Sequence, residues 1–102
     1  MKESQFQKSL IDEIKEQLPG SIIVKNDSSY IQGIPDLLIL NQDRWAALEV
    51  KKNASATHRP NQDYYVETMN NMGFSAFIFP ENKEEVINEL TEYFSGARIA
   101  KS

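Results

Sequence analysis

Two acids and a lysine, Asp36, Glu49 and Lys51, carry the clearest chemical signal in the sequence. Asp36 stands before the apolar run Leu37 to Leu40, and Glu49 and Lys51 end a second run that starts at Trp45. The polar stretch Asn41 to Arg44 lies between them and reads as a turn. Residues that face each other in an antiparallel hairpin have sequence numbers of constant sum. A two-residue turn at Gln42-Asp43 and a four-residue loop from Asn41 to Arg44 both make that sum 85, which sets Asp36 opposite Glu49. Opposed side chains share a face, with β-carbons about 4.5–5.5 Å apart, and Lys51, two residues on, points the same way. Two carboxylates so close repel unless something compensates them. Lys51 supplies part of the compensation, and a hard divalent cation would supply more. Mg2+ suits such a site, since it binds one or two carboxylates and keeps waters for a substrate phosphate. The same trio could instead form a solvated cross-strand ion-pair cluster. An odd-length turn would send the two acids to opposite faces.

The elements that must position this trio can be read from periodicity. Phe6, Leu10, Ile14 and Leu18 recur every fourth residue, with Ile11 beside them, predicting an amphipathic helix over 3–18 that Pro19-Gly20 ends. Residues 21–25 (SIIVK) predict a short strand, 26–33 a polar loop, and Pro35 disfavours helix at the residue before it. Leu37, Ile39, Ala46, Leu48 and Val50 share one face of the hairpin; Leu38, Leu40, Trp45 and Ala47 share the other with the charged trio. Both faces are apolar, so helices are expected to cover both. Pro60 fits the first turn of a second helix whose buried face is Tyr65, Val66, Met69 and Met72, with Gly73 as its stop. Residues 74–79 predict a strand broken by Pro80, and Val86, Ile87, Leu90 and Phe94 a last helix. The order is αβββαβα.

Bulk properties limit what the chain can do. Its 102 residues predict one domain, 1–102, with one modest core. There is no cysteine, which excludes disulfides, thiolate metal sites and thiol nucleophiles, and one histidine, which excludes a histidine-rich metal site. No signal peptide is read at MKESQF and no stretch approaches membrane-spanning length, so the expected location is the cytoplasm, including a host's if the chain is phage-encoded. The net charge of −4 argues against simple coating of nucleic acid. Five acids and one base between Glu81 and Glu92 account for all of it, leaving ten bases and ten acids elsewhere. Val50 to Gln62 contains no acid but holds Lys51, Lys52 and Arg59, so a locally basic face is possible.

The string Gly33-Ile34-Pro35-Asp36, then Glu49-Val50-Lys51, then Gln62 on the following helix, resembles the PD-(D/E)XK nuclease superfamily. More narrowly it is similar to the virus-type replication-repair nuclease (VRR-NUC) group. The likeness runs from Glu3 to the last helix. It implies an α/β, restriction-endonuclease-like fold, an αβββαβ core with a mixed four-stranded sheet between helices, plus the C-terminal helix. It implies Asp36, Glu49 and the Val50 backbone carbonyl as ligands of Mg2+, with Mn2+ as substitute. Lys51 would orient the attacking water or stabilise charge on the phosphate, and Gln62 would reach the site from the helix entrance. The family often adds an acid on the first helix; Glu3 and Glu13 both border the apolar stripe, and Glu3 better matches the near-terminal position. The implied activity is endonucleolytic hydrolysis of DNA, directed to Holliday junctions or other branched repair and replication intermediates, by a homodimer.

Weaker candidates surround this set. His58, Arg59 and Lys52 could contact phosphate, and Lys25, Ser28 and Ser29 could contact the DNA backbone, although polar loops look like this without a partner. Trp45 and the phenylalanines read as core rather than base-stacking platforms. No phosphate-cradling Gly-rich loop and no serine-nucleophile arrangement is found. Two rival readings remain: a non-catalytic nuclease-fold module that binds DNA or protein, and an interaction domain whose acidic last helix docks a partner.

Overall fold

In a computed structural model, which describes residues 2–96, the hairpin forms in the register its turn dictates. Gln42 and Asp43 make a two-residue turn, with Gln42 in the left-handed region at φ 55°, as tight hairpins require. Strand β2 (Leu37–Asn41) pairs antiparallel with β3 (Arg44–Val50), Leu37 facing Leu48 and Asn41 facing Arg44. Strand β1 (Ile22–Lys25) adds antiparallel to β2, and β4 (Phe74–Ile78) adds parallel to β3, giving a mixed sheet of order β1-β2-β3-β4. A parallel neighbour needs a crossover, and helix α2 (Gln62–Met72) provides it.

One sheet face carries the main core. Helix α1 (Glu3–Gln17) delivers Phe6, Leu10 and Ile14, and helix α3 (Lys83–Phe94) delivers Val86, Ile87, Leu90 and Tyr93. Both sets pack with Leu37, Ile39, Ala46, Leu48, Val50, Phe74 and Ile78. An ion pair of 2.9 Å between Lys83 and Glu13 ties the two helices. The buried aromatic of α3 is Tyr93, whose hydroxyl donates to the Trp45 carbonyl at 2.7 Å, while Phe94 is only partly buried.

The opposite face departs from expectation. Helix α2 covers its β3–β4 half, but Ile22, Val24 and Leu40 on the β1–β2 half remain 62%, 41% and 37% exposed. A single helix, about 10 Å across, spans about two strands at their 4.8 Å spacing, so one helix cannot cover four. Met72, expected inside, is exposed as well. Helix α2 also begins later than expected. Pro60 lies in a preceding turn, and Asn61, at φ 72°, turns the chain into the helix at Gln62. Gly33, at φ 90°, packs against that turn so closely that a Cβ would lie 2.7 Å from the Asn61 Cβ. Among the described residues no helix is long and apolar enough to cross a membrane. Residues 1 and 97–102 of the expected single domain lie outside the described ones.

Candidate active site

The trio sits where the hairpin leaves the sheet. Asp36 comes one residue before β2, and its backbone carbonyl accepts from Asn26 N–H at 2.8 Å, holding the chain beside β1. Its Oδ2 accepts from the Val50 N–H at 2.9 Å, which fixes the carboxylate against the end of β3. Glu49 is 3% exposed and faces Phe77 across the parallel ladder. Alternation along β3 puts Glu49 on the α2 side while Val50 enters the main core. Lys51, just past the strand end, is 6% exposed and anchored by its N–H to the Ile78 carbonyl at 2.9 Å.

Gln62 joins the charged groups. Its Nε2 donates to Glu49 Oε2 at 3.1 Å, and its Oε1 accepts from Lys51 Nζ at 2.7 Å and from the Arg59 N–H at 2.8 Å. Lys51 Nζ also donates to the Thr57 carbonyl at 3.1 Å and lies 3.9 Å from Glu49 Oε2. The ammonium is therefore held by three oxygens of different type, with its direction set by the start of α2. Burial pushes the Glu49 carboxyl up to about 8. The charge of the adjacent Asp36 adds to the rise, Lys51 opposes it, and Glu3 adds a smaller upward push. Glu49 Oε1 is fully buried and has no hydrogen-bond partner. An orphaned buried carboxylate oxygen beside a second carboxylate is an unmet demand for a proton or a cation.

This donor set fits a hard divalent ion. Asp36 and Glu49 supply two carboxylates at the wall of a cleft of about 1160 Å3 that Glu3, Lys51, Lys52, Ser28, Ser29, Arg59 and Gln62 also line. Among the described residues no group of three or more His, Cys, Asp or Glu side chains is close enough to cage a metal. Glu3 therefore faces the same space without completing a three-acid cage. Glu13 is engaged with Lys83 and does not line the cleft, so of the two helix-one acids only Glu3 borders it.

Two expected contacts lie elsewhere. Lys25 pairs with Leu37 and so belongs to the face opposite Glu49; it does not line the cleft. His58 is outside the cleft lining too: its ring stacks on Phe77 at 4.1 Å and its Nδ1 meets Asp63 Oδ1 at 2.8 Å. That stack anchors the 53–61 loop and holds its neighbour Arg59 at the cleft. Sequence reasoning missed the Thr57 carbonyl, because a backbone acceptor has no side-chain signature, and missed Asn53, Ser55 and Gln32 in the lining. It also missed the docking of Gly33 on Asn61, although a glycine before Ile-Pro-Asp was a visible cue to a close approach. In comparisons with known proteins, no family model matches the chain and no match is found among curated proteins.

Proposed function

We propose that the protein is a divalent-metal-dependent DNA endonuclease acting on branched or otherwise non-canonical duplexes. The observation that carries this reading is the Asp36–Glu49 pair, with Glu49 Oε1 buried and unpartnered, set beside a fixed ammonium in an open cleft. The likeness of Gly33-Ile34-Pro35-Asp36, Glu49-Val50-Lys51 and Gln62 to PD-(D/E)XK nucleases supports it.

Asp36, Glu49 and the Val50 carbonyl would hold Mg2+ or Mn2+. When bound, the ion supplies Lewis acidity to the phosphate and lowers the pKa of water. The chain's own groups do the rest. With two N–H groups held by Thr57 and Gln62, Lys51, whose Nζ lies 3.9 Å from Glu49 Oε2, would turn its third to a non-bridging phosphate oxygen, where charge grows as water attacks phosphorus. The attacking water gives up its proton to solvent, the P–O3′ bond breaks, O3′ leaves as a 3′-hydroxyl with a proton taken from solvent water, and the phosphate stays on O5′ of the downstream nucleotide. Arg59 and Lys52 line the same cleft and neutralise flanking phosphates. The bare strip of Ile22, Val24 and Leu40 offers an apolar surface for pairing with a second copy, and we place the reaction in the cytoplasm.

The test is incubation with linear, nicked, flapped and four-way-junction DNA, with Mg2+ or with chelator. Asp36→Asn, Glu49→Gln and Lys51→Ala are each expected to abolish cutting with the fold intact. Cutting retained by all three would eliminate the mechanism. One observation favours a second reading, a non-catalytic nucleic-acid-binding module: Lys51, Gln62 and Glu49 already satisfy much of one another, and no three-acid cage forms among the described residues. That module would bind the same DNAs and leave them intact with Mg2+ present.

A further inference from the structure

The loop 26–34 has two sides. Ser28, Ser29, Gln32 and Gly33 line the carboxylate cleft. Asn26, Asp27, Tyr30 and Ile31 turn to a second cavity of about 320 Å3, and Ile34 is a wall of both. The smaller cavity is within the size range of sites for small, flat organic groups. Its apolar walls are Tyr30, Ile31 and Ile34, and Tyr30 is 85% exposed, the most exposed large apolar residue described. An exposed tyrosine ring gains nothing for the fold.

The loop that presents it is nonetheless tied down. Asp27 Oδ1 accepts from the Ser29 N–H at 2.9 Å and from Ser29 Oγ at 2.6 Å, and the Asp27 carbonyl accepts from the Tyr30 N–H at 3.1 Å. Asn26 Nδ2 donates to the Pro35 carbonyl at 2.9 Å, while Gly33 is wedged on Asn61. Both ends of the loop are thus fixed to the elements that hold Asp36 and Gln62.

We propose that Tyr30 and Ile31 hold an unpaired nucleobase in this second cavity while the adjoining phosphate lies in the carboxylate cleft. The inference rests on the nuclease reading for its choice of ligand. Aromatic faces stack any base, and the gain is large enough to select single-stranded over paired nucleotides. The Asp27 carboxylate repels phosphate but accepts from amino and imino groups on a base edge, so the cavity favours a base over a backbone. A paired base hides both its faces in the duplex stack and its Watson–Crick edge in the pair. The cavity therefore favours flaps, bulges and splayed junctions over intact duplex. It also gives DNA a foothold that needs no positive charge, on a chain whose net charge is −4.

The test uses the full chain with Ca2+ replacing Mg2+, and duplexes carrying 2-aminopurine either in a one-nucleotide flap or in a base pair. Wild-type protein is expected to quench the flapped probe and bind it about tenfold more tightly than the paired one. Tyr30→Ala removes the quenching and the preference, leaving affinity for the paired probe unchanged, whereas Tyr30→Phe keeps both. Truncating so exposed a side chain leaves the fold intact, checked by circular dichroism. Equal affinity for the two probes in the wild type, or an unchanged preference in Tyr30→Ala, overturns the proposal. Cleavage of the same duplexes with Mg2+ is scored separately. Preference without cleavage supports the base cavity and sinks the nuclease reading; cleavage without preference does the reverse.

Discussion

Replacing Glu49 with glutamine should make the metal-free protein more stable. Glu49 is 3% exposed, and its carboxyl is raised from 4.5 to about 8. At pH 7 the unfolded chain carries it ionised while the folded chain holds it mostly protonated. Keeping it so across the interval from 4.5 to 7 costs about 3 kcal/mol, at about 1.4 kcal/mol per unit. Between pH 4.5 and 8 the folded state binds more protons than the unfolded one, so this group lowers stability progressively as pH rises. The penalty is absent below that window and complete above it. Glutamine carries no such penalty. Its amide oxygen can accept from Gln62 and its amide nitrogen can donate to Asp36. Allowing for imperfect hydrogen bonds, Glu49→Gln should gain about 2 kcal/mol at pH 7, about 10 °C in melting temperature for a chain of this size. Thermal unfolding by circular dichroism, from pH 4.5 to 9 with chelator or with Mg2+, measures it. The difference between the two proteins should vanish toward pH 4.5. Mg2+ should stabilise only the wild type, displacing close to one proton at pH 7. A variant less stable than wild type at pH 8, or an unchanged pH dependence, would refute the account of a destabilised carboxylate pair.

Further outcomes follow from the same geometry. Lys51→Met, which strips a buried cation from Thr57, Gln62 and Glu49, should destabilise by about 3 kcal/mol in chemical denaturation and lower cleavage at least a hundredfold. Gln62→Leu should lower kcat by about tenfold or more with little change in KM, because it frees the lysine without touching substrate; a change confined to KM would assign Gln62 to binding. Gly33→Ala should cost about 3 kcal/mol, from its positive φ and the 2.7 Å approach to Asn61, whereas Gly20→Ala, at φ 87° with nothing within 4 Å, should cost only about 1 kcal/mol. Ile22→Lys with Leu40→Lys should leave the melting temperature near wild type and convert any dimer to monomer in sedimentation equilibrium.

Much of the site was legible because a hairpin is a local object. The two-residue turn fixes the register, the register sets Asp36 against Glu49, and alternation separates the charged face from Leu37, Ile39, Leu48 and Val50. Helix periodicity likewise gave the inner residues of α1 and most of those of α3. Errors appeared where a residue's fate depends on a distant neighbour. Met72 keeps helical spacing with Tyr65 and Met69, yet it lies about 120° round the helix from Val66, the apolar residue that α2 buries, and is exposed. Lys25 has the composition of a phosphate contact, but pairing with Leu37 turns it to the other face.

The sequence by itself determined the order of elements, the alternation of the strands and the meeting of two carboxylates, since each follows from spacing within a few residues. Only the tertiary structure decided that Glu3 rather than Glu13 faces the cleft, that Gln62 bridges Lys51 to Glu49, and that half a sheet face stays bare. Those outcomes depend on how separate elements pack, on helix width against strand spacing and on which ion pair captures which acid. Burial did the rest, turning an ordinary glutamate into a group that resists ionisation even with the Lys51 ammonium 3.9 Å away.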